Sequence, residues 1–382
     1  MRIGYISCII QLAVIVQFSE CQTQDLGNFC QRNPRHRACR VLDKKAEVKD
    51  KEKRDKYEQE EIEGEFGSLE PDGSVRRPNS RRRPSSKQTI FDSRPPELRL
   101  TAEEKRKLKD TCKRMRGNCK NQKDKSKRKR KDVEAIFLDE ADESGVKDFR
   151  KKKDLAERHL QKIQKAKKSL FKKQGLPGIE PDDDGLWEGD LVLSGAQAEQ
   201  IEAVNNLPDD ESLITRKKRY SIFFEEDPAK QWELPIRFMI ENGFNDTEKN
   251  IVRTAVSDFQ MKTCITFEEL DSPPTNLPYI LYRKIYAPSF CGLANLGKTG
   301  EKNMVWLNFD CPNILGTTIH ETMHSLGVAH QQARFDRNRH LDIDFGVMDP
   351  QALDLFNIAD VSKHSTYGVP YDYYSIMHYG AF

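Results

Sequence analysis

The chain has 382 residues, 33% of them charged and 36% hydrophobic. That is length for one or two domains but too few apolar side chains for one large core. The formal charge of +3 hides a division, because Tyr220 onward carries 13 Lys+Arg against 21 Asp+Glu, while the 219 residues before it carry 51 against 40. A basic front half and an acidic back half exclude a uniform chain and imply two parts with different jobs.

Residues 1–21 read as a secretory signal, with Arg2 as the positive start, an apolar stretch from Ile6 to Val16, and small residues at Ser19 and Cys21 near a cleavage point. The stretch is too short for a membrane span and has no second candidate behind it, so a secreted, extracellular product is expected. Nine cysteines fit an oxidising compartment. Cys8 and Cys21 leave with the signal, and the seven that remain are an odd number.

From about Val41 to Lys173 the chain is dominated by Lys, Arg, Glu and Asp, with Arg81, Arg82 and Arg83 among Pro and Ser and an almost wholly basic run from Lys123 to Lys131. Such composition predicts mostly disorder, since little apolar surface is present to offset the entropy of ordering. Asp148 to Lys173 has the makings of a charged helix, though its apolar residues are sparse. In an exported chain nucleic acid is not the partner of the basic runs. A solvated spacer is preferred to a site for matrix polyanions. Cys30 with Cys39 and Cys112 with Cys119 are each spaced to close a small loop, and the pairing stays open.

Around Gly185 the composition changes, and Leu186, Trp187, Leu191 and Leu193 are apolar enough to dock on something. Arg216, Lys217, Lys218 and Arg219 then form a tetrabasic run suited to a precursor convertase. These boundaries divide the chain into a signal (1–21), a propeptide (22–219) and a globular domain (220–382).

In that domain Ile236 to Ile240 suits a strand, Asn245-Asp246-Thr247 offers helix-start residues, and Ile251, Val252, Ala255 and Phe259 recur at helical spacing to about Met261. Ile265 to Phe267, Tyr279 to Tyr282 and Met304 to Leu307 read as strands. Asn245 also heads an N-glycosylation sequon.

The most informative segment runs from His320 to His330. Thr317 or Thr318 is placed to cap a helix on which His320 and His324 share a face. Gly327 lets the chain turn sharply out of that helix and bring back His330. Three imidazoles are ligands for one Zn(2+), with a fourth position left to water, as in catalytic sites. Glu321 follows the first ligand and is placed as the general base that takes a proton from water and passes it to the leaving amine. The extension of His-Glu-x-x-His to Gly327 and His330 makes the signal specific. Downstream, Tyr371 to Tyr379 contains Ser375-Ile-Met377-His378, a methionine turn whose Met377 would form an apolar floor beneath the ligands. His36, His159, His340 and His364 have no ligand-like spacing, and His378 is read as structural.

With these motifs the chain resembles the astacin family of metzincin endopeptidases. The likeness covers Tyr220 to Phe382 and includes Trp232 with Pro235-Ile236, Thr263-Cys264-Ile265, the zinc motif with Arg334 and Asp336-Arg337, and the methionine turn. Matrix metallopeptidases and adamalysins share the zinc motif, but the cysteine switch usual in their propeptides is not found, and the Ser-x-Met-His-Tyr turn points to astacins. The resemblance implies an α+β fold: a twisted mixed sheet, a long helix above the cleft and a zinc helix along its floor. It implies that Tyr379 ligates the resting metal and swings away to support the oxyanion. It implies that Trp187-Glu-Gly189-Asp190-Leu191, within an inhibitory segment near 186–193, is an aspartate switch with Asp190 on the metal. It also implies that Cys291 pairs with Cys311.

Two departures carry consequences. Gln331 stands where the family usually has a Glu that pairs with the ammonium freed by processing. The family domain also continues past the methionine turn, where Cys264 normally finds its partner, so the lower subdomain is expected to be incomplete. The expected activity is hydrolysis of internal bonds in extracellular protein or peptide substrates after cleavage behind Arg219, with substrate extended beside an edge strand. The alternative is a non-catalytic secreted protein that binds matrix polyanions through its basic half.

Overall fold

The structure is a computed structural model that describes residues 100–114, 123–143, 145–206, 231–358, 366 and 369–379. The signal segment, Cys30, Cys39, Cys119, the tetrabasic run and Tyr220 lie outside the described residues.

Three helices open the described chain: α1 (Ala102–Arg114), α2 (Lys123–Glu143) and α3 (Phe149–Lys173). Over these stretches the expectation of disorder is corrected. Local rules account for the ends. Thr101 and Glu104 exchange side-chain and backbone hydrogen bonds at the start of α1, and Asp148 caps α3 by accepting from the amides of Arg150 and Lys151. The apolar residues of α3 are few but aligned. Ala156, Leu160, Ile163, Leu170 and Phe171 recur at helical spacing and are buried. They meet Val133, Ile136 and Phe137 of α2, then Leu186, Leu191 and Leu193, and finally Tyr279, Leu281, Leu293, Met304 and Trp306 from the far side of the tetrabasic run. Much of the surface that stabilises these helices is thus supplied by the other half of the chain, and their own composition does not reveal it.

The remaining elements are β1 (Leu191–Val192), α4 (Gly195–Asn205), β2 (Ile236–Ile240), α5 (Asp246–Lys262), β3 (Phe267–Glu269), β4 (Tyr279–Lys284), β5 (Gly292–Asn295), β6 (Lys302–Leu307) and α6 (Ile314–Ser325), followed by short 3-10 turns at 331–333, 337–339 and 350–356. The strands form one mixed sheet in the order β1-β5-β6-β4-β2-β3, parallel except where β5 meets β6. Alternation along β4 and β6 sends Tyr279, Leu281, Met304 and Trp306 to the face covered by the first helices. Ile280, Tyr282, Val305 and Leu307 turn to the opposite face, where they pack with Val252 and Phe259 of α5 and Ile319 and Met323 of α6. With both faces covered, these two strands read as nearly unbroken apolar runs.

Strand β2 and helix α5 match their sequence readings, with Asn245 and Glu248 forming a capping box. Strand β3 begins at Phe267 rather than Ile265. Helix α6 starts at Ile314, earlier than the threonines suggest, with Asn313 at its N-cap in a left-handed conformation (φ 57°). The side chain of Asn313 sits over Gly316, where a Cβ would lie 2.4 Å from its Nδ2. Thr318, one turn inside the helix, bonds back to the carbonyl of Ile314 at 2.8 Å. A disulfide joins Cys291, just before β5, to Cys311, just before α6. Cys112 and Cys264 each take part in a disulfide as well. Among the described residues no helix is long and apolar enough to cross a membrane.

Candidate metal centre

Helix α6 places His320 and His324 one turn apart, and the chain then leaves it through a Schellman turn. Gly327 takes φ 97°, its amide bonds the carbonyl of His324, and the amide of Val328 bonds that of Met323. His330 is thereby carried back to the same point. The Nε2 atoms of His320 and His324 are 3.1 Å apart, and the rings of His324 and His330 lie 4.6 Å apart between centroids. Asp190 enters from β1's leading edge: its Oδ2 is 3.1 Å from His330 Nε2 and 3.4 Å from His320 Nε2, and its Oδ1 is 3.7 Å from His324 Nε2. One ligating atom from each of the four residues falls within 4.8 Å of all the others.

The outward nitrogens define the tautomers. Nδ1 of His320 faces the carbonyl of Ile376 at 2.8 Å, Nδ1 of His324 that of Val328 at 2.7 Å, and Nδ1 of His330 the Glu188 carboxylate at 3.0 Å. Each acceptor calls for a proton on Nδ1, which leaves three Nε2 lone pairs directed at one another. Crowded lone pairs beside a carboxylate fit a divalent cation and nothing neutral. Asp190 Oδ1 is buried without a hydrogen bond at the same spot.

Glu321 is 2% exposed, and its Oε2 has no hydrogen-bond partner. Burial, and after it the charge of Asp190, raise its proton affinity well above the ordinary glutamate range. Strand β5 makes room for it. A Cβ on Gly292 would sit 2.5 Å from Glu321 Cγ and 2.6 Å from its Oε1, so the strand passes this carboxylate only as glycine.

The methionine turn closes the site from below. Met377 is fully buried among Trp232, Ile319 and Met323, and its carbonyl accepts from the amide of Gln331 at 2.8 Å. Tyr379 lies against His330 with ring centroids 4.7 Å apart, its amide bonds Gln332 Oε1, and its hydroxyl donates to the backbone carbonyl of Glu188. Burial, and then the charges of Asp190 and Glu188, push its proton affinity up, so it remains a phenol.

The structure therefore gathers His320, His324, His330, Asp190, Glu321, Tyr379 and Met377. Exposed Asn245 caps α5 through its Oδ1, and neither it nor the Cys291–Cys311 bridge belongs to the metal-ligating group. Sequence reasoning missed Glu188, Gly292 and Gln332. Glu188 sat inside the segment already singled out, and its buried carboxylate also accepts from Trp187 Nε1 at 3.1 Å.

Residues 224–382 match the model of the Astacin peptidase family. Zinc metalloproteinase nas-10 of Caenorhabditis elegans is 40% identical over 225 residues, covering 56% of this chain and 41% of that protein. Zinc metalloproteinase nas-11 of the same organism is 32% identical over 392 residues, covering 93% of this chain and 65% of that protein. Among solved structures, high choriolytic enzyme 1, a hatching enzyme zinc-protease from the medaka fish Oryzias latipes, is similar at 30% identity and a TM-score of 0.33, covering 38% of this chain and 68% of that one. The chain spans less than two-thirds of the length of these curated relatives.

Proposed function

We propose, from the premise that residues 224–382 place this chain in the astacin family of zinc metallopeptidases, that it is the secreted precursor of a zinc endopeptidase acting on extracellular proteins or peptides. The observation that carries this reading is the convergence of three Nε2 atoms whose Nδ1 partners all face outward, with the unpartnered Glu321 carboxylate nearby.

His320, His324 and His330 would hold one zinc ion. When bound, that ion supplies a Lewis acid that activates water and polarises a peptide carbonyl. Glu321 takes the proton of the attacking water and delivers it to the leaving amine. Tyr379, once released from the Glu188 carbonyl, offers its hydroxyl to the oxygen that gains negative charge.

The N-terminal half keeps this apparatus silent in three ways. Asp190 takes the place that water needs. Glu188 holds His330 through its carboxylate and Tyr379 through its carbonyl. Strand β1 pairs with β5, opposite Ala294 and Asn295, and so occupies the sheet edge an extended substrate would use. Cleavage behind Arg219 by a precursor convertase would begin its release.

The test compares the processed chain with a Glu321→Ala variant for zinc content and hydrolysis of a mixed peptide substrate. The expected outcome is one zinc in both, with hydrolysis reduced at least about a hundredfold in the variant. Equal hydrolysis by the two proteins removes Glu321 from the mechanism, and well-folded processed protein that takes up no zinc removes the peptidase reading.

A further inference from the structure

One buried ion cluster is not needed by the chemistry above. Lys167, on α3, is 1% exposed, and its Nζ lies 2.7 Å from Asp184 Oδ1 and 3.1 Å from Asp354 Oδ2. Both carboxylates are buried as well. Burial alone would weaken the ammonium, yet the two carboxylates outweigh it and hold the proton above the usual lysine range. An ammonium so enclosed is tolerated only because it is paired.

The three members have different fates. Lys167 and Asp184 precede the tetrabasic run, whereas Asp354 sits in the 350–356 turn of the astacin domain. Burial raises the proton affinity of Asp354, to about 6; Lys167 opposes that rise, while the charges of Asp184 and Asp182, which also belong to the N-terminal half, add to it. Processing that releases this half takes these three away together and leaves an uncompensated carboxylate.

The turn that carries Asp354 reaches the metal centre. Phe356 meets Tyr379 edge to face at 6.3 Å, Gln332 Nε2 approaches the Leu355 carbonyl, and Leu355 Cδ2 lies 3.0 Å from where a Cβ on Gly189 would be. The stretch just before the inhibitory segment runs along the same turn, since the Asp182 amide bonds the Gln351 carbonyl and Gln351 Nε2 bonds the Glu180 carbonyl. The precursor segment that ends at Asp190 thus passes the turn that carries Asp354.

We propose that Asp354 is a specificity-determining residue of the processed enzyme, the anionic end of a pocket for a substrate Lys or Arg side chain near the scissile bond, and that Lys167 fills this pocket in the precursor. A long aliphatic stem ending in a cation matches a carboxylate carried on a turn that also bears Leu353, Leu355 and Phe356. Acidic side chains are rejected there by like charge. The inference rests on the peptidase reading above.

The experiment uses the full chain, processed at residues 216–219 and loaded with zinc. Sets of matched peptides carry Lys, Arg, Gln or Glu at single positions on either side of the cut, and kcat/KM is measured for each. At one position Lys or Arg should exceed Gln on the order of tenfold, with Glu below Gln. Asp354→Asn should shrink that ratio to within about twofold, as charge pairing is lost. Because Asn at 354 leaves Lys167 half-paired during folding, the double variant Lys167→Gln/Asp354→Asn provides the same readout from a neutral precursor pair. Cleavage with no basic preference at any position, or a preference unchanged by both variants, overturns the inference while leaving the peptidase reading intact. Absence of any cleavage by zinc-loaded wild type overturns both.

Discussion

Glu188 occupies a left-handed backbone conformation (φ 50°) that glutamate seldom adopts, and the reason lies in what its two oxygens do. One accepts from Trp187 Nε1 and the other from His330 Nδ1, so two donors need two acceptors. Glutamine at this position has a single oxygen, and one donor would then face an amide NH2. Glu188→Gln is therefore predicted to loosen the metal in the unprocessed protein. Zinc transfer to a chelator should quicken on the order of tenfold, the usual effect of losing an outer hydrogen bond to a ligand. After processing, the variant and wild-type domains have the same sequence, and their transfer rates should coincide. The ligands themselves were legible because helix geometry fixes what a four-residue spacing means, whereas Asp190 was singled out only through the resemblance of its segment to the family's aspartate switch. Glu188 and Gly292 were not, because each is defined by a partner far away in sequence: His330 for the first, Glu321 for the second.

At the level of elements, sequence periodicity located β2, β4, β6 and α5 to within a few residues, since each carries its own alternation or cap. It failed for α1 and α2, whose packing partners include the sheet of the other half, and it placed the start of α6 too late because Asn313 takes the position assigned to a threonine. Helix α3 shows the intermediate case. A charged helix over Asp148 to Lys173 was visible, but neither the alignment of its sparse apolar residues nor that His159 on its surface faces the carbonyl just after β1. Nε2 of His159 bonds the Leu193 carbonyl at 2.7 Å while the ring stacks on Phe137 at 4.0 Å between centroids. Burial lowers its proton affinity, the Leu193 carbonyl opposes that, and the charge of Lys162 adds to it. The imidazole is thus neutral when folded. Its contribution to stability is whole above pH 6.5, the ordinary value at which the unfolded ring also loses its charge, and drains away as pH falls through the depressed native value. Between about pH 7 and pH 5 the thermal midpoint of the unprocessed protein should fall more steeply for wild type than for His159→Gln, which keeps a donor for Leu193 but cannot titrate. Parallel pH curves for the two proteins would remove His159 from this role.

Of the two buried clusters among the described residues, one lies wholly within residues 232–377 and the other is completed by neither half alone. The shared cluster runs from Leu108 and Val133 through Leu160 and Leu191 to Leu293, Met304 and Trp306, on both sides of the tetrabasic run in sequence. The halves also carry net charges of opposite sign, which favours their association. On the proposed zymogen reading inhibition and folding are linked: what stabilises the N-terminal half against the sheet also holds Asp190 beside the metal-ligating histidines. Leu160 tests the linkage. It is fully buried, and its Cδ2 lies 2.5 Å from where a Cβ on Gly185 would sit, so it packs directly under the turn (φ 83°) that starts the inhibitory segment. Leu160→Ala opens a cavity there and should cost about 2–5 kcal/mol. In a chain protected from processing by Arg216→Ala and Arg219→Ala, the urea midpoint should drop and slow peptide hydrolysis should appear, because the turn that aims Asp190 has lost its support. Processing of the otherwise unaltered Leu160→Ala chain should then erase the difference, since Leu160 departs with the released half and the domain left behind is unchanged. A lowered midpoint without any leak of activity would mean that the grip on the metal site is independent of the shared core.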